Sequence, residues 1–287
     1  MTSRNRSIFL SINTYPVLGN LLFKLVRSSD GLRERLWKLA YETFPKVLPD
    51  SDWWFMNYGY EPTDAERYEL GTLDEQQFQW RSRAMYHYLA ARAKVAGKDV
   101  LEVGSGRGGG LRHVAETMHP ASAIGLDFAA SAIAFCNKNH AGTSARYLEG
   151  NSMDMPFGPD SFDVVLNVES CHAYRDQAQF LREVARVLRP GGKLHLVDVR
   201  ATWNWDLLYQ WLSEAGLELI EDADISSNVV TAIERDEPTK KALIKKRVPF
   251  WLRGMFTEFA GNVGSQLYER LKNGEIQYRR IVAQRPA

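Results

Sequence analysis

With 287 residues, 45% of them hydrophobic, the chain is long enough to bury one sizeable α/β core with additions, and it suits that better than two equal domains. Lysine and arginine total 36 against 35 aspartate and glutamate, with both signs scattered, so no one-signed field exists to hold a phosphate polymer and nucleic acid is not expected as a partner. Cys136 and Cys171 are too few for a disulfide framework or a zinc site, which points to a reducing cytosol.

In chain order, Arg4 and Arg6 precede an apolar stretch from Ile8 to Val26. Asn13, Pro16, Gly19, Asn20 and Lys24 interrupt it, short of the roughly 18 apolar residues expected of a spanning helix. Broken amphipathic helices are expected, packed on the core or resting peripherally on a membrane. Residues 1–95 read as a helical cap, with helices over 32–44 and 80–95. Inside it, Trp53-Trp54-Phe55-Met56-Asn57-Tyr58-Gly59-Tyr60 is too aromatic for an ordinary linker. Trp54, Tyr58 and Tyr60 are expected to form a lid over a cofactor or to grip an apolar acceptor, with core packing as the alternative.

From Asp99 short apolar strands alternate with amphipathic helices, the pattern of a parallel sheet covered on both faces. Strands are predicted at 100–103, 123–127, 146–149 and 162–168, and a fifth at 193–197 after the turn Arg189-Pro190-Gly191-Gly192. Helices fall at 111–118, 129–139 and 177–188. A helix at 205–214, a sixth strand at 217–221, a helical excursion over 228–268 and a final, partly exposed strand at 276–283 complete the chain. The division is a cap and lid over 1–95, a nucleoside-binding core over 96–225, and a helical insertion with the last strand over 226–287.

Glu102-Val103-Gly104-Ser105-Gly106-Arg107-Gly108-Gly109-Gly110 lies between a strand and a helix, where bare backbone lets a ligand approach closely. Gly104, Gly106 and Gly109 also satisfy the spacing of dinucleotide enzymes. Glu102 separates the two: a carboxylate there repels a pyrophosphate but suits a ligand carrying an amine and a sulfonium, so S-adenosylmethionine is favoured over NAD. Asp127, closing the second strand, can accept from both hydroxyls of a ribose, and Phe128 can stack on adenine, with core packing as the alternative. Asn151 and Ser152 offer an amide and a hydroxyl to the adenine edge, with Met153 as an apolar wall; ordinary turn chemistry is the alternative there.

Glu102 to Gly106, Asp127, the run from Gly150 to Phe157, Ser161-Phe162-Asp163-Val164-Val165 and Val187-Leu188-Arg189-Pro190-Gly191-Gly192 resemble the ordered landmarks of class I S-adenosylmethionine-dependent methyltransferases. The resemblance implies an α/β fold, a Rossmann-like, doubly wound, mostly parallel seven-stranded sheet with an N-terminal helical cap and a C-terminal helical insertion. It assigns Glu102, Gly104, Gly106, Asp127, Asn151, Ser152 and Asn167 to S-adenosyl-L-methionine, and Ser105, Phe128 and Met153 are expected beside them from the residue reading above. The third-strand position usually holds Asp in that superfamily, and here it is Asn151.

Methyl transfer from a sulfonium is a direct displacement; an alcohol acceptor must also lose its proton, a task that suits a histidine. His172, in Glu169-Ser170-Cys171-His172-Ala173-Tyr174 after the fourth strand, is the base candidate. Asp198, expected to end the fifth strand at the same edge, is expected to orient the imidazole or to take part directly, and Tyr174 joins the acceptor-lining residues. Similar natural-product O-methyltransferases place a histidine and an acid at these points. The aromatic run, with Asn167-Val168-Glu169-Ser170, Val248-Pro249-Phe250-Trp251-Leu252 and Gly264-Ser265-Gln266-Leu267-Tyr268, looks most like mycobacterial phthiotriol/phenolphthiotriol dimycocerosate and glycopeptidolipid-type O-methyltransferases. That resemblance implies transfer to a hydroxyl of a small-molecule, lipid, polyketide or glycolipid acceptor. An N-methyltransferase of a small amine, an NAD-dependent oxidoreductase and a non-catalytic nucleoside-binding module remain as alternatives. No metal is expected, because His113, His119 and His140 are scattered near helix ends and read as solvated.

Overall fold

The computed structural model describes residues 53–287, apart from 72, 78, 249, 251, 252, 254–256, 258 and 259 and the side chains of 68–70 and 247. The broken helices expected over 8–26, the helix over 32–44 and any membrane contact they make lie outside the described residues. Among the described residues, no helix is long and apolar enough to cross a membrane.

After the aromatic run come helices α1 (Asp64–Leu70) and α2 (Trp80–Ala93). Thr63 caps α1 by accepting from Glu66 N–H while the Glu66 carboxylate accepts from the Thr63 backbone, a reciprocal capping box that fixes where this helix starts. The sheet then follows: β1 (Asp99–Val103), α3 (Gly109–Met118), β2 (Ser122–Asp127), α4 (Ala130–Asn139), β3 (Ala145–Glu149), β4 (Phe162–Val168), α5 (Gln177–Val187) and β5 (Leu188–Ala201). Helix α6 (Trp205–Glu214), β6 (Glu218–Asp224), α7 (Ser226–Arg247), α8 (Gln266–Lys272) and β7 (Ile276–Gln284) complete it.

The seven strands run in the order β3-β2-β1-β4-β5-β7-β6. The five from β3 to β5 are mutually parallel, and β7 is antiparallel to both its neighbours. Order reverses beside β1, so the crevice outside the carboxyl ends of β1 and β4 is the natural ligand site of the sheet. One face is packed by α2, α3, α4, α7 and α8 through residues such as Leu89, Leu111, Ile133 and Ile233. The other is packed by α5 and α6 through Phe180, Leu181, Val184, Leu208 and Leu212. This two-sided burial explains why the central strands read as continuous apolar runs.

Three readings need correction. The final strand is interior, not partly exposed: Tyr278 and Ile281 are fully buried, and β6 is the exposed edge. Residues 189–192 do not end in a separate turn before the strand; β5 spans Leu188–Ala201, with Leu188 paired to Phe162 and the register irregular before Val164 pairs with Lys193. Asp198 therefore sits within β5 opposite Arg279, three residues before its end.

Candidate active site

The glycine loop is tied to the second strand by its amides. Gly104 N–H and Ser105 N–H both donate to the Leu126 carbonyl, at 2.8 and 3.1 Å, and Gly106 N–H donates to Asp127 Oδ2 at 2.7 Å. Gly104 has φ +77°, and a Cβ there would lie 2.6 Å from Ser170 Cβ and 2.8 Å from the Tyr174 hydroxyl, so both its backbone angle and its surroundings demand glycine.

Two acids lie beside the loop. Glu102 is fully buried; its Oε1 accepts from the Tyr86 hydroxyl at 2.7 Å, and its Oε2 has no hydrogen-bond partner. Burial pushes its carboxyl up to about 8. Asp127 accepts from Gly106 N–H and, at 2.9 Å, from Ala129 N–H; burial raises its pKa while these amide bonds pull it back. The Ser105 hydroxyl is also buried without a partner, and the Phe128 ring after Asp127 is 44% exposed.

After β3, Asn151 Oδ1 accepts Met153 N–H at 3.0 Å in its own turn, which leaves the oxygen one further lone pair. Its side-chain nitrogen and the half-buried Ser152 and Met153 remain at that edge. Asn167, fully buried, acts as a clasp. Its Nδ2 lies 2.9 Å from the Val103 carbonyl, 2.8 Å from Ser170 Oγ and 3.1 Å from the Tyr174 hydroxyl, and its Oδ1 accepts from Cys171 N–H. Tyr174 thus belongs with the glycine loop, its ring edge-on to Phe180.

His172 stands in a short 3-10 turn, Cys171–Ala173, directly after β4. Its Nδ1 is 2.5 Å from Asp198 Oδ1. The side chain is 39% exposed while Asp198 is wholly buried, so the imidazole is held through Nδ1 by an acid beneath it. Burial lowers the tendency of His172 to protonate, but the Asp198 charge and hydrogen bond outweigh it and its pKa is raised; Asp198, opposed by burial and favoured by His172 and Arg200, is held below the usual carboxylate range.

The aromatic run splits three ways. Tyr58 N–H donates to Glu169 Oε1 at 3.1 Å, placing this segment against the loop that carries His172. Tyr60 is instead turned into the core, stacked on Tyr88 at 4.2 Å with its hydroxyl donating to Glu66 at 2.6 Å, so packing accounts for it. Trp54 packs edge-on to His140 with Arg112 over its face, and its carbonyl accepts Gly109 N–H at the start of α3. The histidines read as solvated are corrected too: His113 and His140 are buried, the former 3.1 Å from His87 and the latter 2.7 Å from the Arg107 carbonyl; only His119 is exposed. Among the described residues no group of three metal-ligating side chains forms.

Sequence reasoning missed Glu169 and Arg200 as site residues. Glu169 has φ +50°, a backbone conformation costly for a residue with a side chain, and its N–H donates to the Val197 carbonyl at 2.8 Å, one residue before Asp198. Burial lifts its carboxyl to about 7. Arg200 donates to Asp198 Oδ2 at 2.9 Å. The available signal was alternation: residues 198 and 200 of one strand share a face.

A doubly wound sheet with a glycine loop and an acid near the end of each of its first two strands is the architecture of a class I methyltransferase. Comparison with known proteins agrees. A methyltransferase domain family matches residues 101–196. The fatty-acid O-methyltransferase of Mycolicibacterium smegmatis is 36% identical over 250 residues, covering 87% of this chain and 90% of the relative. The phthiotriol/phenolphthiotriol dimycocerosates methyltransferase of Mycobacterium tuberculosis is 35% identical over 254 residues, covering 86% and 90%. Among solved structures, the cyclase SpnF superposes with TM-score 0.67 at 17% identity over 90% of this chain and 97% of its own. Geranyl diphosphate C-methyltransferase from Streptomyces coelicolor A3(2) does so with TM-score 0.61 at 17% identity over 88% and 97%. The chain belongs to the family of these mycobacterial methyltransferases and is an S-adenosylmethionine-dependent enzyme.

The residues present fit that cofactor. An ionisable oxygen of Glu102 and the Ser105 hydroxyl are buried with no protein partner, the arrangement left when a polar ligand is meant to complete the site. Each Asp127 oxygen accepts one backbone N–H, leaving lone pairs for ribose hydroxyls.

Proposed function

We propose that the protein methylates a hydroxyl oxygen of a lipid-like acceptor, with His172 as general base and Asp198 as its orienter. The observation that carries this reading is the 2.5 Å contact between His172 Nδ1 and the buried Asp198, which engages Nδ1 and so leaves Nε2 as the ring nitrogen for a substrate proton. The acceptors named in the relatives, a fatty acid and the phthiotriol dimycocerosates, support a lipid-like substrate.

Bound S-adenosylmethionine supplies an electrophilic methyl on a sulfonium. Glu102 and Ser105 would hold its amino-acid end, Asp127 its ribose, and Phe128, Ser152 and Met153 its base. Aligning donor and acceptor can contribute ~7 to 11 kcal/mol. His172 Nε2 takes the hydroxyl proton as the oxygen gains the methyl, and Nδ1–H stays with Asp198. A carboxylate acceptor would need no base.

The test is His172→Ala. Turnover on a long-chain alcohol should fall about 10²- to 10⁴-fold, while calorimetric affinity for S-adenosylhomocysteine stays at the parent value. Parent-like turnover would remove His172 from the mechanism, and indifference of an amine acceptor to loss of either His172 or Asp198 would indicate N-methylation.

A further inference from the structure

The Asp198 carboxylate is shared. His172 holds Oδ1 at 2.5 Å and Arg200 holds Oδ2 at 2.9 Å, with both Asp198 and Arg200 buried. Arg200 is itself fixed from three sides: its Nη1 donates to Gln177 Oε1 at 2.7 Å, its Nη2 to Cys171 Sγ at 3.2 Å, and its guanidinium lies over the Trp205 ring at 5.6 Å. Gln177 opens α5 and Cys171 immediately precedes His172, so one guanidinium braces the acid, the turn carrying the imidazole and the next helix. A cation so deeply buried is costly unless its position matters.

We propose that Arg200 is a positioning residue that sets the pH at which His172 becomes a competent base, by competing with the imidazole for the Asp198 charge. This rests on His172 being the base. An unshared carboxylate 2.5 Å from a histidine would hold the imidazole protonated to high pH, where it cannot accept a proton. Arg200 draws part of that negative charge to the other oxygen and its own charge opposes protonation of His172, so the base is freed nearer neutrality. The charged or titratable groups facing His172 are Asp198 and Arg200 from β5 and Glu169 from the end of β4; the Cys171 thiol, pushed up to about 12 by burial, and the buried Tyr278 hydroxyl of β7 are neutral there.

The experiment follows the imidazole of His172 by NMR titration of the labelled full-length protein, alongside the pH dependence of kcat/KM on a long-chain alcohol. Arg200→Gln should move the His172 titration and the acid limb of kcat/KM together to higher pH by about one unit, and Arg200→Lys should return both towards the parent. Arg200→Met, which leaves no orphaned polar group of its own, serves should the glutamine variant fold poorly. A variant with lowered kcat but an unmoved titration would make Arg200 purely structural and overturn the proposal. A titration that moves while the kcat/KM profile stays still would uphold the charge sharing and sink the base role of His172 instead.

Discussion

Replacing Glu102 by Gln tests the electrostatic heart of the cofactor site. Without ligand, burial holds the Glu102 carboxyl at about 8, so at pH 7 the protonated form predominates. A cationic amine or sulfonium near the unpartnered Oε2 stabilises the ionised form, so binding must expel that proton. Calorimetry of S-adenosylmethionine at pH 7 in two buffers of different ionisation enthalpy should therefore report proton release by the parent and close to none by Glu102→Gln, whose affinity also falls. The same shift has a stability consequence. A carboxyl whose folded pKa lies above its unfolded value favours the folded state least once the unfolded chain ionises, so this contribution is full below about 4.5 and is lost as pH rises to about 8. The ligand-free parent should accordingly lose thermal stability across that window more steeply than Glu102→Gln. Equal heats in both buffers for the parent, or undiminished proton release in the variant, would refute the assignment of Glu102 to the cationic end of the cofactor.

Other outcomes follow from the same geometry. Asp198→Asn removes the group that most raises the His172 pKa and leaves burial and Arg200 opposed only by Glu169, so the acid limb of kcat/KM should move to lower pH even as turnover falls, as a pH-rate profile will show. Gly104→Ala forces a side chain into φ +77° and against Ser170 and Tyr174; it should cost about 2 kcal/mol, read as a lowered Tm, and weaken S-adenosylhomocysteine binding in calorimetry. Glu169→Ala removes the acceptor of Tyr58 N–H, so that amide should exchange with deuterium faster than in the parent, while Glu169→Gln keeps an acceptor and should retain protection.

The parallel half of the fold was legible because strands buried on both faces are written as unbroken apolar runs, and the glycine loop and its acids stand in local sequence. The far edge was not. In β7 the alternation of Gln277, Arg279 and Arg280 with apolar residues looks like a half-exposed strand, yet Arg279 pairs with Asp222 at 2.7 Å and Arg280 with Glu221 at 2.8 Å and Tyr88 at 3.1 Å. Those partners lie 57 or more positions away and leave no periodic trace. His113 and His140 were misread for the same reason: α2 brings His87 onto one, and the Arg107 carbonyl meets the other. In the site, His172 and Asp198 were identified by position on the sheet edge, and the structure brings them into contact. Arg200 escaped because its value comes from sharing a carboxylate with a residue 28 positions earlier, and Tyr60 was overvalued because an aromatic side chain that stacks in the core reads the same as one that grips a ligand.

The most direct measurement is mass spectrometry of long-chain alcohols, diols and hydroxylated lipids incubated with the parent protein and methyl-deuterated S-adenosylmethionine. A deuterated methyl ether that forms with the parent and is lost with His172→Ala is the predicted result. Label appearing instead on an amine or a carboxylate, or an ether formed equally well without His172, would contradict the proposed chemistry.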